Sequence, residues 1–248
     1  MKLEFKKSIS NKVIIILGAM FVFLFLLGYF LLVGIDKVSN VTPEMFFFSS
    51  YTVATQFGLM LFSFVIAFFI NREYSNKNIL FYKLIGENIY TFFYKKIAVL
   101  FLECFAFITL GLLIISLMYH DFSHFALLLF LFSAVILQYI LIIGTISMLC
   151  PNILISIGVS IVYWMTSVIL VAISNKTFGF IAPFEAGNTM YPRIERVLQS
   201  DNMTLESNDV LFIILYLVSI IIINAIILRF SKTRWIKMGI KGSYFTMK

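Results

Sequence analysis

The chain has 248 residues, 61% of them hydrophobic and only 12% charged, with a net charge of +7. Soluble domains run near half apolar and a quarter charged, so this composition excludes a soluble globular protein. The basic residues form no separate domain or stripe, which excludes nucleic-acid binding.

The chain opens on a basic stretch, residues 1–12, "MKLEFKKSISNK". It is suited to lie on a membrane surface ahead of the first span. The uncharged run Val13–Ile35 follows. A membrane span needs about 20 apolar residues, so 13–35 is expected as span one. It is too long for a signal-peptide core, and no small-residue cleavage site follows it. The run Met45–Asn71 predicts span two over 47–70.

Residues 71–96, "NREYSNKNILFYKLIGENIYTFFYKK", interrupt this pattern with a long polar segment. Glu73 and Lys77 stand four apart, in the favourable order for a helix pair. Leu80, Phe81, Leu84 and Ile85 then share one helical face. Gly86 is placed to stop the helix. The segment therefore reads as a short amphipathic helix, followed by a second helical pattern, Ile89–Lys96, that runs into span three.

Span three is expected over 97–118. Glu103 lies within it, about 10 Å deep at 1.5 Å per residue, where a charge is costly and faces protein or water. His120, Asp121 and His124 form an outer turn without a fourth ligand, so no metal site is expected. The run Phe125–Asn175 is long enough for two spans. Cys150-Pro151-Asn152 breaks it, because proline lacks an N–H and disfavours helix before it, giving spans at 124–149 and 153–174.

Along span five, Ser156, Ser160, Tyr163 and Ser167 fall within about 60° of one another around the helix. Such a hydroxyl stripe serves either close helix packing or a polar path. Phe57, Leu61, Phe64 and Phe68 form an aromatic stripe on span two, read as packing, as lipid-facing surface or as an apolar wall for a substrate. Gln56, Gln138 and Asn224 are weaker polar candidates inside the spans.

Residues 174–208 are too long for a simple turn. Pro192, with Tyr191, Ile194, Val197 and Leu198 on one face, predicts a short helix there. Span six is expected over 209–229, and 230–248 is a basic tail. Cys104 and Cys150 form no CxxC and read as free buried thiols.

Fifteen of the nineteen Lys and Arg residues fall on the side that carries both termini and 71–96. Positive residues stay inside, so that side is expected to be cytoplasmic, with 174–208 outside. The expectation is one all-α polytopic membrane domain, 1–248, with six spans. Lys outnumbers Arg 14 to 5, and Ile, Phe and Asn are abundant, a composition typical of an AT-rich bacterial genome and hence of a bacterial cell membrane.

Six spans, cytoplasmic termini, and a first cytoplasmic loop with Glu73, Leu80 or Leu84, and a closing Lys95 or Lys96 resemble the ABC-2 type permeases of ABC transporters. Asn76-Lys77 stands where that family usually has Gly-Thr. The resemblance implies a type V exporter-like domain with a connecting helix at 1–12. It implies a coupling helix in 71–96, where Glu73, Lys77, Leu80, Phe81, Leu84 and Ile85 would engage an ATPase. Short outer helices are implied between the last two spans. It also implies a route near span five, past Ser156, Ser160, Tyr163 and Ser167; Phe57, Phe64 and Glu103 are further candidates for that path from the residues themselves.

The chain has no Gly-x-x-x-x-Gly-Lys-Ser/Thr motif, so no cofactor is expected on it. ATP and Mg would sit on two copies of a separate ATPase, beside a second permease copy, in contact with membrane lipid. The Phe- and Ile-rich character is similar to that of lantibiotic-immunity permeases and the phenol-soluble modulin exporter permease. The expected substrate is then an amphipathic or antimicrobial peptide, for secretion or self-immunity. Alternatives are a lipid, drug or polysaccharide exporter, an ion-coupled transporter, or an intramembrane enzyme. The last needs paired catalytic groups at depth, and Glu103 stands alone there.

Overall fold

The computed structural model describes residues 1–75, 78–185, 188, 190–198 and 204–241. Among these residues ten α-helices follow one another: α1 Lys2–Ser10, α2 Val13–Phe30, α3 Pro43–Ser75, α4 Asn78–Leu84, α5 Ile89–Tyr119, α6 Phe125–Leu149, α7 Ile153–Ile173, α8 Asn175–Phe178, α9 Met190–Leu198 and α10 Ser207–Lys241. A π-helical turn, Leu31–Ile35, extends α2. No strand occurs among the described residues. Six helices (α2 with its π turn, α3, α5, α6, α7 and α10) are long and apolar enough to cross a membrane. The chain is a multi-pass membrane protein.

The helix ends follow local chemistry. Asn88 and Asn152 cap α5 and α7, their side-chain carbonyls accepting from the Thr91 and Leu154 N–H at 2.8 and 2.9 Å. Each satisfies one of the amides that a helix start leaves unpaired. Gly86 adopts φ +81° just past α4, a left-handed stop that glycine reaches without strain. Lys12 takes φ 59° and turns the chain from α1 into α2.

Two helices overrun their expected bounds. α3 reaches Ser75 instead of 70 and α10 continues to Lys241 instead of 229, while α5 joins the expected helical pattern from Ile89 and span three into one helix. A hydropathy reading ends a span at its first charges. Here the charged turns remain helical, those of α3 and α5 because their charges find partners across the bundle.

α3 and α6 form the centre. α3 packs on α2, α6 and α7, and α6 on α3, α5, α7 and α10. α7 and α10 are the least buried spans. Close approach needs small residues at the contacts. A Cβ on Gly28 of α2 would lie 2.8 Å from the Ser50 Cα, and one on Gly58 of α3 2.6 Å from the Tyr139 ring. Polar ties fix the helix pairs. The Tyr139 hydroxyl donates to the Ala54 and Thr55 carbonyls at 3.1 and 3.0 Å. The Tyr94 hydroxyl donates to Asn224 at 3.0 Å, and Asn224 donates to Thr145, joining α5, α10 and α6.

Candidate functional site

At the end of the bundle that carries the N-terminus, four elements meet on a buried ionic cluster. α1 presents Glu4 and Lys7, α3 presents Glu73, α5 presents Lys96, and α4 presents Tyr82 and Asn78. The Lys96 ammonium lies 2.7 Å from Glu4 and 2.9 Å from Glu73. It also sits 4.1 Å from the centre of the Phe69 ring. Lys7 donates to both Glu73 oxygens at 2.9 and 3.1 Å and to the Tyr82 hydroxyl at 2.6 Å. Asn78 donates to Glu73 at 2.6 Å, and Tyr82 donates to Glu4. Burial, then the bond to Glu4, pushes the Tyr82 hydroxyl far above its usual range, so it stays a donor.

Two carboxylates and two ammonium groups cancel. A buried charge is tolerated when paired and hydrogen-bonded, and each of these has at least two partners. α1 accordingly turns Glu4 and Ser8 inward and leaves Leu3, Phe5 and Ile9 exposed. That inverted arrangement suits a helix whose outer face meets lipid.

The cluster fixes α4. Ile79 and Tyr82 are buried, and Tyr82 stacks edge-on against Phe92 at 4.9 Å, which in turn meets Trp235 of α10 at 5.6 Å. The opposite side is open: Phe81 is 53% exposed, Leu84 85% and Ile85 51%. Of the residues expected to engage a partner, these three face outward as anticipated. Lys77 lies outside the described residues, as does the side chain of Leu80.

Glu73 corrects the expectation. Its side chain is buried and committed to Lys7, Lys96 and Asn78. It holds α4 in place rather than reaching outward. Glu103 does not stand alone: Ser8 of α1 donates to it at 2.8 Å.

The serine stripe of α7 faces the bundle. Ser156, Ser160 and Ser167 are buried and Tyr163 half-buried. Their hydroxyls are already used: Ser156 donates to the Asn152 carbonyl at 3.0 Å and accepts from Asn71, while Ser160 and Ser167 donate to the Ser156 and Trp164 carbonyls, each at 2.8 Å. In this conformation the stripe is a packing surface. Phe57 and Phe64 are exposed on the outside of α3. The structure therefore does not bring them to one lining with the serines. Buried Gln56 Nε2, Gln138 Oε1 and Trp164 Nε1 have no partner.

At the opposite end, α9 buries Tyr191, Ile194, Val197 and Leu198 as its spacing predicts. A cavity of about 290 Å³ opens beside it, lined by Arg193, Arg196, Val197, Thr204, Glu206 and Asp209. No group of three or more His, Cys, Asp or Glu able to hold a metal occurs among the described residues.

Sequence reasoning missed Glu4, Lys7 and Tyr82. The one available signal was Glu4, a lone acid in a basic segment.

The model of the peptide export permease protein YydJ family matches residues 1–240. A curated relative from Bacillus subtilis (strain 168), described as a probable peptide export permease protein YydJ, is 98% identical over 240 residues, which is 97% of this chain and 100% of the relative. No solved structure matches the chain.

Proposed function

The chain belongs to the YydJ family of peptide export permeases, and on that premise we propose that it is the membrane subunit of an ATP-driven exporter of amphipathic peptides. A separate cytoplasmic ATPase supplies the energy and docks on α4. Two permease copies and two ATPase copies make the working unit. The end bearing the ionic cluster faces the cytoplasm, in keeping with the bias of fifteen of nineteen basic residues toward it. The family's printed name favours peptides over a lipid, drug or polysaccharide.

One observation carries the docking proposal. α4 is locked on one side by buried ion pairs and presents Phe81, Leu84 and Ile85 on the other. A helix that is to transmit a push must be rigidly attached to the spans behind it and apolar toward the groove that receives it. The cluster ties α4 to α1, α3 and α5 together, so displacement of α4 is passed to three elements at once. Export then requires the packed seam between α3 and α7 to part, exposing the serine stripe.

The test is purification of the chain from its own host's membranes in mild detergent. The proposal expects a co-purifying subunit with a phosphate-binding Walker motif. It also expects ATP-dependent movement of an amphipathic peptide across vesicles holding both subunits. Peptide movement by the permease alone, driven by an ion gradient, would overturn it.

A further inference from the structure

Between α7 and α9, residues 182–185 and Asn188 fold back into the bundle. Ala182, Pro183, Phe184, Glu185 and Asn188 are all buried. The Tyr216 hydroxyl of α10 donates to the Ile181 carbonyl at 3.1 Å. The Phe184 ring meets Tyr216 edge-on at 6.0 Å. The Asn188 amide donates to the Gly179 and Ala182 carbonyls, each at 2.6 Å. The segment is a plug, pinned to itself and to the last span.

Glu185 belongs to this plug, 5% exposed, and its Oε2 has no partner. The titratable groups that feel its charge are tyrosines from every packed element: Tyr51 of α3, Tyr139 of α6, Tyr163 of α7, Tyr191 of α9 and Tyr216 of α10. No Lys, Arg or His among the described residues offsets it. The Tyr51 hydroxyl is also buried without a partner. A carboxylate in such a place would be an unpaired buried charge, whereas the protonated acid is a neutral group of ordinary cost.

We propose that Glu185 is a proton-binding site that latches the plug: protonated, it lets the segment stay seated among the tyrosines, and loss of the proton drives the segment out. The inference rests on the permease reading only for its setting, in which this end is the exit side and the plug closes the exit. Burial pushes the carboxyl up to about 8 while the plug is seated. Once lifted into water it returns to about 4.3, the ordinary glutamate value. The seated state is thus fully favoured below the ordinary carboxyl range and loses that advantage as pH rises to about 8. Between those limits the opening equilibrium shifts about tenfold per pH unit, with one proton released outward per opening. An exporter built so would open its exit more readily toward a neutral or alkaline exterior than an acidic one.

The experiment places spin labels at Phe180→Cys, in the plug, and Asn40→Cys, between α2 and α3, on a background lacking Cys104 and Cys150. The full chain is held in lipid nanodiscs and the label–label distance read from about pH 5 to about pH 9. A single, shorter distance at acid pH should give way to a longer, broader population that grows as the pH rises and stops growing near pH 8. Glu185→Gln should keep the short distance throughout. If the amide destabilises the chain, Glu185→Leu, which asks for no hydrogen bond, gives the same readout. A distance that ignores pH, or the same shift in both neutral variants, overturns the latch. Nanodiscs expose both faces to one buffer, so this outcome does not depend on orientation or transport. Acidifying one side of sealed vesicles then reads the side separately. A response from the face opposite to the expected one would reverse the topology and leave the latch standing.

Discussion

Glu73 and Lys96, 23 residues apart in sequence, meet at 2.9 Å between α3 and α5, with Glu4 of α1 completing the contact on the other side of the ammonium. Glu73 stands where the ABC-2 loop has its acid and Lys96 is one of the two candidates for its closing lysine. The structure makes them one ion pair, a clamp under α4.

The clamp predicts a ranking of stabilities. Lys96→Met leaves Glu4 with only the Tyr82 hydroxyl and Glu73 with Lys7 as its one ammonium partner, and breaking a buried pair from one side costs about 3–5 kcal/mol. Lys7, whose side chain is 23% exposed, should cost less when changed to Met, because the carboxylates keep Lys96. Thermal unfolding in detergent should rank wild type above Lys7→Met above Lys96→Met. Equal losses would mean the cluster is wetter than its burial indicates.

Packing of α2 on α3 gives a second prediction. Ser49 donates to the Gly28 carbonyl at 2.8 Å, and a Cβ at Gly28 would press on the Ser50 backbone. Overpacking of this kind costs about 1–3 kcal/mol. Gly28→Val should lower the melting temperature, while Gly158→Ala, with open space around it, should not. Detergent melting curves of the two variants settle the comparison.

Topology is checked by labelling. Cysteine at Lys176 should react with a membrane-impermeant thiol reagent applied to intact cells, and cysteine at Asn88 only after the cells are opened. The reverse pattern would invert the assignment of sides.

The serine stripe distinguishes a path from a seam. Ser160→Cys, on the background lacking Cys104 and Cys150, should stay inert to a small water-soluble thiol reagent at rest, because Ser160 is fully buried. It should become reactive when ATP hydrolysis is trapped. If it is inert in every nucleotide state, and Ser160→Trp disrupts assembly instead of export, the stripe is packing alone.

The span positions were legible because charges are almost absent from their interiors, Glu103 of span three being the exception, and Pro151 divides the longest run. The far ends of α3 and α10 were not, since the charged turns that carry Glu73 and Arg234 look like loop to any reading that treats charge as the edge of a span. The exposed face of α4 followed from the spacing of Phe81, Leu84 and Ile85. Its buried side did not, because Tyr82 is fixed by Glu4 and Lys7, and Glu4 lies 92 residues from its other partner, Lys96. No local period records such a contact. The stripe on α7 was visible as a face, but the periodicity of serines cannot reveal that their hydroxyls bond to their own helix. Glu185 gave no signal at all: one acid among several in a long loop looks exposed until its part of the loop is seen to fold inward.

The most direct measurement is peptide-stimulated ATP hydrolysis by the permease reconstituted in lipid with its ATPase, comparing wild type with Leu84→Asp combined with Ile85→Asp. Both side chains are largely exposed, so the variant should insert and melt as wild type does. The variant should lose ATPase binding, and peptide should no longer stimulate hydrolysis or move across the membrane. Full binding and peptide-stimulated hydrolysis in the variant would contradict the claim that α4 is where the ATPase drives this permease.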